Sequence, residues 1–310
     1  MILSVSRRTD IPGCYPEWFM NRLRDKYVMT RNPMNFHQVS QINLSPDFIE
    51  CIVFWTKNAV PFMDYLEELN RMGYMYMFQY TITPYDNTLE KNISDKSDII
   101  KNVLELSEKI EKKRIVWRYD PILLNDTYTV NRHIELFEEM CSLLYTAVNH
   151  VVISFIDLYQ KNRGYRLYEL STDEITHLAQ AFGEIGAKYK LPIKTCCENY
   201  DLTKFGITKG ACIDSVLLEE ICNRPLLLKK ATGQRKNCLC AESVDIGAYH
   251  TCLNGCIYCY ATDYKRLKTK QKCYDKNSQI LCDKLDFDYF YQSTQNEKVI
   301  NLEGEVENER

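Results

Sequence analysis

The sequence lacks an excess of charge of one sign. Its 39 Lys and Arg residues nearly balance 42 Asp and Glu residues, which leaves a formal net charge of -3. Such a chain has no strong field to attract nucleic acid or an anionic membrane. It also lacks an apolar run of membrane length, and residues 1–8 contain no signal-peptide core. We therefore expect a soluble cytoplasmic protein without a membrane partner.

Histidine is scarce, with five residues in the chain. Four of them stand at no regular ligand spacing, and we expect these at the surface or in the core: His37, His133, His150 and His177. His250 directly precedes a cysteine-rich segment. We favour a structural role for it, with hydrogen bonding to a metal site as the alternative.

Apolar residues, in contrast, make up 45% of the chain, enough for a large core without structural disulfides or metals. Short apolar runs alternate with segments of helical spacing, which is typical of βα units around a parallel sheet. The predicted strands are residues 2–6, 27–30, 51–55, 75–82, 115–119, 151–156, 191–195 and 244–249. Eight units in about 250 residues indicate an α/β fold, a (β/α)8 TIM-like barrel over residues 1–262. An incomplete or open barrel is the alternative.

Helix signals support this reading. Residues 61–72 have an apolar face and end before Gly73, which suits a left-handed cap. Ser171 and Glu174 form a capping box, and residues 99–110 carry another apolar stripe. Residues 263–310 are predicted to be a C-terminal extension with a basic, solvated helix at 265–272 and disorder from residue 296.

Several predicted strands run into polar residues at their carboxyl ends. These polar segments are residues 6–10, 30–32, 56–58, 118–120 and 196–198. The carboxyl ends of parallel strands meet on one face, where active sites of barrels are built. The recurrence predicts a shared site there.

The sequence contains fourteen cysteines, and their clustering favours metal binding over disulfides. Cys252, Cys256 and Cys259 follow one another at x3 and x2 spacing after the last predicted strand. Three thiolates can hold one cubane iron–sulfur cluster and leave one iron open to a further ligand. We expect the cysteines outside the proposed sites to be small buried side chains, and these are Cys14, Cys51, Cys141, Cys222, Cys273 and Cys282.

A second group of thiols is Cys196, Cys212, Cys238 and Cys240. These four could close a second iron–sulfur cluster or a tetrahedral zinc site, with scattered buried thiols as the equal alternative. Glu198 and Asp214 each lie two residues beyond a cysteine of this group. Helix capping is the favoured role for Asp214.

With Tyr258 directly before its third cysteine, the Cys252–Cys259 segment resembles the signature loop of the radical S-adenosylmethionine (SAM) superfamily. That superfamily usually carries the loop after its first strand. A circularly permuted barrel reconciles the two positions, because the first and last strands are neighbours in a closed barrel. Through the segments SRRTDIP (6–12), FWTKN (54–58) and RYDP (118–121), and up to Ala261, the chain also resembles an uncharacterised bacterial family, domain of unknown function 1848.

The superfamily resemblance implies a [4Fe-4S] cluster that binds S-adenosyl-L-methionine. After reduction, SAM would be cleaved to a 5′-deoxyadenosyl radical that acts on a substrate the sequence does not identify. A low-potential electron donor such as a ferredoxin or flavodoxin is also implied. Tyr258 would pack on the adenine.

The remaining SAM contacts are expected from positions at strand ends. Arg7, Arg8 and Asp10 would bind the methionine carboxylate and amino groups through charge-assisted hydrogen bonds. A structural ion pair of either arginine with Asp10 is an equal alternative. Thr56, Lys57 and Asn58 would reach the ribose.

Two other classes of protein stay open at this point. In the first, a structural or electron-transfer protein, zinc or an iron–sulfur centre is bound without SAM chemistry by Cys238, Cys240, Cys256 and Cys259. In the second, a nucleic-acid modification enzyme uses the same cofactor. Its basic and aromatic surface would be Lys265, Arg266, Lys268, Lys270 and Lys272 with Tyr260 and Tyr264.

Overall fold

The structure, a computed structural model, describes residues 1–158, 164–235 and 237–285. Its centre is a parallel sheet of eight strands. The strands of this sheet are β1 (Ile2–Val5), β4 (Cys51–Thr56), β5 (Tyr76–Thr81), β6 (Ile115–Ile122), β7 (Val151–Phe155), β8 (Ile193–Cys196), β9 (Ile207–Gly210) and β10 (Val244–Asp245). Their spatial order is β10-β1-β4-β5-β6-β7-β8-β9.

Two further strands, β2 (Tyr27–Arg31) and β3 (Val39–Asn43), form a separate antiparallel pair. The helices are α1 (Ile11–Cys14), α2 (Pro16–Asp25), α3 (Leu66–Arg71), α4 (Lys96–Ile110), α5 (Val130–Leu144), α6 (Thr172–Tyr189), α7 (Ser215–Cys222) and α8 (Tyr264–Gln271). A 3-10 helix, Val60–Tyr65, leads directly into α3. The fold is therefore mixed α/β, with helices flanking a large parallel sheet. No helix of the described chain has the length and apolarity to cross a membrane.

The predicted closure into a barrel is wrong. Within the described residues, β9 and β10 are the two edges of the sheet and do not pair with each other. Two properties of the edges explain this: β10 has only two residues, and β9 buries only Ile207. Short strands with few buried residues contribute little pairing energy to closure. A permuted closed barrel is therefore not the architecture of this chain.

The space that a closed barrel would fill with its own strand side chains is filled here by α7 and its neighbouring segments. Ile2, Val53 and Val116 point to this face because side chains alternate along each strand. Leu218 and Ile213, which are fully buried, pack against them. The open sheet thus has both faces covered.

The opposite face packs against the other helices and carries the larger aromatic core. Phe54 and Phe78 stack with ring centroids 4.8 Å apart, and Phe137 and Phe182 stack at 3.8 Å. The alternation of strand residues between the two faces follows from the period of two in a β-strand. Burial on both faces accounts for the nearly continuous apolar runs in the sequence.

Seven of the eight predicted strands lie in the main sheet. The eighth, 27–30, pairs instead with its sequence neighbour β3. Strand β9 escaped prediction because its sequence, ITKG, carries a single buried apolar residue. The helix signals are confirmed: Ser171 and Glu174 form the capping box of α6, Asp214 caps α7, and Gly73 has φ +84°.

The C-terminal segment packs against α2 and β2. Trp18 Nε1 donates to the Ser278 carbonyl oxygen at 2.8 Å, and Ile280 and Leu281 are buried. The basic helix α8 has no buried residues, as expected for a solvated helix. The predicted disorder from residue 296 lies outside the described residues.

The role of α7 in the core is testable with one buried and one exposed apolar residue of this helix. Leu218→Ala should destabilise the protein by about 2–5 kcal/mol, because it empties a fully buried site. Val216→Ala, which changes a side chain that is 63% exposed, should stay within about 0.5 kcal/mol. Urea denaturation measures both. Equal effects would contradict the packing of α7 on the sheet.

Candidate metal centre

The segment that follows β10 lies at the carboxyl edge of the sheet, because β10 is parallel to β1. Asp245 accepts hydrogen bonds there from the Ser4 hydroxyl at 2.8 Å and from the Arg7 amide at 2.9 Å. Thr9 Oγ1 donates to the Ala248 carbonyl oxygen at 2.9 Å, and the Tyr15 hydroxyl donates to that of Thr251. These bonds join the segment leading to Cys252 to the residues that follow β1.

The cysteine loop, residues 252–259, is held on its other side by residues 89–92. The Ile257 amide donates to the Leu89 carbonyl oxygen at 2.9 Å, and the Asn92 amide donates to that of Asn254 at 3.1 Å. Gly255 makes the turn between the first two cysteines with φ +75°, a conformation that favours glycine. The loop is therefore fixed from two directions.

Cys252, Cys256 and Cys259 are all partly exposed on this loop. Burial raises the pKa of the Cys256 thiol well above its ordinary value, and the negative charges of Glu90, Cys252 and Cys259 raise it further. Cys252 and Cys259 therefore lie within electrostatic reach of Cys256. As a donor set the three thiols fit an iron–sulfur cluster, which thiolates hold.

Cys14, which we expected to be a small buried side chain, lies beside this group. Its thiol lies close enough to that of Cys252 to raise the pKa of the Cys252 thiol, and its sulfur lies 3.7 Å from Asn254 Oδ1. Cys14 is at the end of α1, far from the loop in sequence. No spacing pattern links it to the motif, so sequence reasoning had no signal for it.

Glu90 is a buried carboxylate that connects the cysteine loop to the sheet. It ion pairs with Lys57 Nζ at 2.8 Å and Lys96 Nζ at 2.5 Å, and accepts a hydrogen bond from the Tyr258 hydroxyl. Burial alone would raise the pKa of Glu90, but the two lysine charges outweigh it and lower the pKa to about 2. Glu90 was not singled out from the sequence, because it lies in a loop without a motif.

Tyr258 and Asp10 have structural contacts in addition to their predicted roles. Tyr258 is buried, with its ring 5.7 Å from that of Tyr85 in an edge-to-face arrangement. Asp10 accepts hydrogen bonds at 2.8 Å from the Lys57 amide, the Gly13 amide and Asn254 Nδ2. Burial raises the pKa of Asp10. Asp10 thus links α1, the end of β4 and the cysteine loop.

The two arginines after β1 lie over aromatic rings. The Arg7 guanidinium is 5.0 Å from the centroid of Trp55, and that of Arg8 is 5.3 Å from the centroid of Tyr249. Both are partly exposed at the carboxyl edge. Stacking on a ring leaves the edge of a guanidinium available to bind a carboxylate.

The polar residues after β4 form a local turn. Thr56 Oγ1 accepts from the Asn58 amide at 3.0 Å, and Asn58 Oδ1 accepts from the Val60 amide at 3.0 Å. Lys57 points to Glu90. Lys57 lies next to the cysteine loop through its contacts with Asp10 and Glu90.

The second predicted thiol group also comes together. Cys196 ends β8 and Cys212 follows β9, and their sulfur atoms are 2.7 Å apart. The Cys212 amide donates to Cys240 Sγ at 3.3 Å. Cys238 lies close to Cys197, a neighbour that the sequence reading did not include. The structure thus brings Cys238 and Cys240 to the second group, whereas Cys256 and Cys259 lie with Cys252.

In the part of the chain that the structure describes, no three His, Cys, Asp or Glu side chains are grouped as ligands of one metal ion. A cubane has a different requirement, because each of its thiolates binds a separate iron and the sulfur atoms surround the whole cluster. At the second group two thiols are in direct contact, and at the cysteine loop the thiols influence one another's pKa.

Carboxylates also line the strand ends beyond the cysteine loop. Burial raises the pKa of Glu198 to about 7, and its Oε1 accepts from the Phe155 amide at 2.9 Å. Asp120 ion pairs with Arg118, and Asp214, besides capping α7, pairs with Lys194 at 3.0 Å. The predicted shared edge is therefore rich in charge as well as in thiols.

These features define a class: an α/β protein with an open parallel sheet and thiol groups at the carboxyl edge. The chain belongs to the family Domain of unknown function (DUF1848), whose model matches residues 2–261. The cysteine loop lies inside the matched range. A comparison with curated proteins finds no match.

Among solved structures, the chain is similar to a crystal structure described as a candidate α-L-fucosidase from Bacteroides thetaiotaomicron. The identity is 13% and the TM-score is 0.24, and the match covers 58% of this chain and 86% of the other. A likeness of this size says nothing about fold or activity.

The ion pairs of Glu90 make the free energy of unfolding depend on pH. Because the folded pKa of Glu90 is depressed to about 2, its contribution is present above the unfolded pKa of 4.5 and is lost as pH falls towards 2. Glu90→Gln should cost roughly 3–5 kcal/mol at pH 7, because it leaves the partly buried Lys57 and Lys96 unpaired, and should weaken the pH dependence over this window.

Urea titrations between pH 2 and 7 measure this effect. The matched control is Glu68→Gln, which breaks the exposed pair with Arg24. That change should cost no more than about 1 kcal/mol. Equal costs for the two variants, or an unchanged pH profile in Glu90→Gln, would contradict the role given to Glu90.

Proposed function

We propose that this protein is an iron–sulfur enzyme of the radical SAM type, with its cluster bound by Cys252, Cys256 and Cys259. The observation that carries the proposal is the fixed cysteine loop at the carboxyl edge of a parallel sheet, with Cys252 and Cys259 within electrostatic reach of Cys256. Ligands of parallel α/β sheets bind at this edge. Three protein ligands would leave one iron free for SAM.

When bound and reduced, such a cluster supplies one electron to SAM, whose S–C5′ bond breaks to give methionine and a 5′-deoxyadenosyl radical that takes hydrogen from a substrate. The reductant would be a low-potential donor such as a ferredoxin or flavodoxin. The protein's part is to hold the cofactors, orient SAM and exclude water.

Charged side chains near the loop have suitable chemistry for SAM. Arg7 and Arg8 carry guanidinium groups that would bind the methionine carboxylate. Asp10, already engaged by three donors, would bind the amino group only through a remaining lone pair. Its firmer role is to position the loop through Asn254.

The adenosyl part of SAM is assigned to aromatic and polar side chains beside the loop. Tyr258 would contact the adenine, and Thr56, Lys57 and Asn58 would contact the ribose. Lys57 is ion paired with Glu90, so it would contact the ribose while remaining in that ion pair.

Cys14 favours a second candidate function. A fourth thiol beside Cys252 would complete a closed four-thiolate cluster and take the place of SAM on the last iron. Such a protein would transfer electrons or be stabilised by its cluster without SAM chemistry. The role of Cys14 therefore separates the two functions.

Reductive SAM cleavage is the direct test of the first function. The full chain, reconstituted anaerobically with iron and sulfide and reduced with dithionite, should form 5′-deoxyadenosine from SAM, measured by chromatography. Cys256→Ser should lower product formation by more than tenfold. Cys273→Ser, which changes a partly exposed thiol at the end of α8, should have no effect. A fully loaded cluster that forms no 5′-deoxyadenosine would refute SAM cleavage.

Cys14→Ser tests the fourth ligand. If the cluster has three protein ligands, this variant should retain about four irons at the cysteine loop and should still cleave SAM. Iron and sulfide analysis with the same cleavage assay measures both. Loss of the cluster in Cys14→Ser, to the extent seen in Cys256→Ser, would favour the closed electron-transfer site.

A further inference from the structure

A second thiol group lies at the other side of the carboxyl edge, across the sheet from the cysteine loop. We define it by the five cysteines Cys196, Cys197, Cys212, Cys238 and Cys240. Two come from the end of β8, one follows β9, and two come from the segment before β10. Three separate parts of the chain thus place sulfur atoms in one region.

Direct contacts connect the group in two parts. Cys212 is central to the first, with its sulfur 2.7 Å from that of Cys196 and its amide 3.3 Å from Cys240 Sγ. In the second part, Cys238 lies close enough to Cys197 to help raise the pKa of the Cys197 thiol to about 11, after burial as the largest cause. Cys238 and Cys240 are one residue apart, so the parts adjoin.

The surroundings of the group favour bound metal over simple packing. Cys212, Cys238 and Cys240 are at most 8% exposed and lie in the apolar cluster that covers the sheet face. Arg118 Nη1 lies 3.1 Å from Cys212 Sγ and provides a positive charge for a thiolate. An apolar residue would fill such a space without requiring a buried guanidinium beside it.

The backbone at Cys197 adopts an unusual conformation. Its φ is +59°, in the left-handed region where glycine or asparagine is preferred. Cys197 is therefore held in a strained conformation, with its partly exposed thiol packed against the apolar cluster that contains Cys238.

We propose that Cys196, Cys212, Cys238 and Cys240 bind a second metal centre through four thiolates, with Cys197 as an adjacent fifth thiol. The centre is an iron–sulfur cluster, which takes an all-thiolate ligand set with each thiolate on a separate iron. Each thiol releases a proton when it binds metal. The thiol–thiol contacts of the protonated group would then be replaced by sulfur–iron bonds, and uptake of a preassembled cluster changes no oxidation state.

This centre would border the first site through a short row of side chains. The guanidinium groups of Arg7 and Arg118 lie 5.0 Å and 5.3 Å from the centroid of the Trp55 ring. Arg7 belongs to the proposed SAM site, and Arg118 contacts Cys212. The second centre does not depend on SAM chemistry, since its ligands are separate from those of the cysteine loop.

Metal analysis of the full chain tests the proposal. The protein is purified anaerobically and reconstituted, and iron, zinc and sulfide are measured per chain. Cys212→Ser and Cys240→Ser should each lose the metal of one centre while keeping that of the cysteine loop. Cys256→Ser should show the opposite loss. Cys141→Ser, which changes a fully buried thiol outside both groups, should lose neither.

A loss of about four irons with their sulfide in Cys212→Ser is the expected result, and a loss of about one zinc without iron would contradict an iron–sulfur cluster at this group. Cys238→Ser, at the edge of the group, provides a second variant if Cys212→Ser does not fold by circular dichroism. Unchanged metal content in folded variants would overturn the proposal. A Cys196–Cys212 disulfide in anaerobically alkylated protein, found by mass spectrometry, would overturn it as well.

Discussion

Three carboxylates determine where the cysteine loop lies, and the candidate site depends on them. Asp245 joins the end of β10 to the Ser4 hydroxyl and the Arg7 amide. Asp10 joins the end of β4 to Asn254 inside the loop. Glu90 joins Lys57 and Lys96 to Tyr258. Charge-assisted hydrogen bonds of this kind are stronger than neutral ones, so they hold a loop with little regular structure in place.

The open sheet has a consequence for chemistry as well as for packing. A closed barrel fills its interior with strand side chains, whereas here α7 and its neighbouring segments cover that face. The same segments carry Cys212, Cys238 and Cys240. The segments that cover this face of the open sheet therefore also contain the thiols of the second group. The two candidate sites lie along one edge of the same sheet.

The sequence predicted those parts of the fold that depend on local patterns. Seven strands of the main sheet, the capping box at Ser171 and the cap at Asp214 follow from periodicity and side-chain chemistry. Closure of the sheet could not be predicted, because it depends on two short edge strands and on what covers a face. Strand β9 was missed since ITKG has no alternating apolar pattern.

The candidate site was predictable to a similar extent. The spacing of Cys252, Cys256 and Cys259 marks the loop, and polar strand ends mark the edge. Cys14 and Glu90 lie beside the loop although they are distant from it in sequence, and no local sequence pattern predicts such contacts. Cys197 joined the second group only when the fold placed it beside Cys238.

Whether one iron of the loop cluster is open to SAM is the central question. Electron paramagnetic resonance of the reduced protein, recorded with and without SAM, addresses it most directly. An open iron predicts that SAM changes the cluster signal of the protein and of its Cys212→Ser variant alike. An unchanged signal from a fully reduced loop cluster at saturating SAM would contradict the account and leave Cys14 as the fourth ligand.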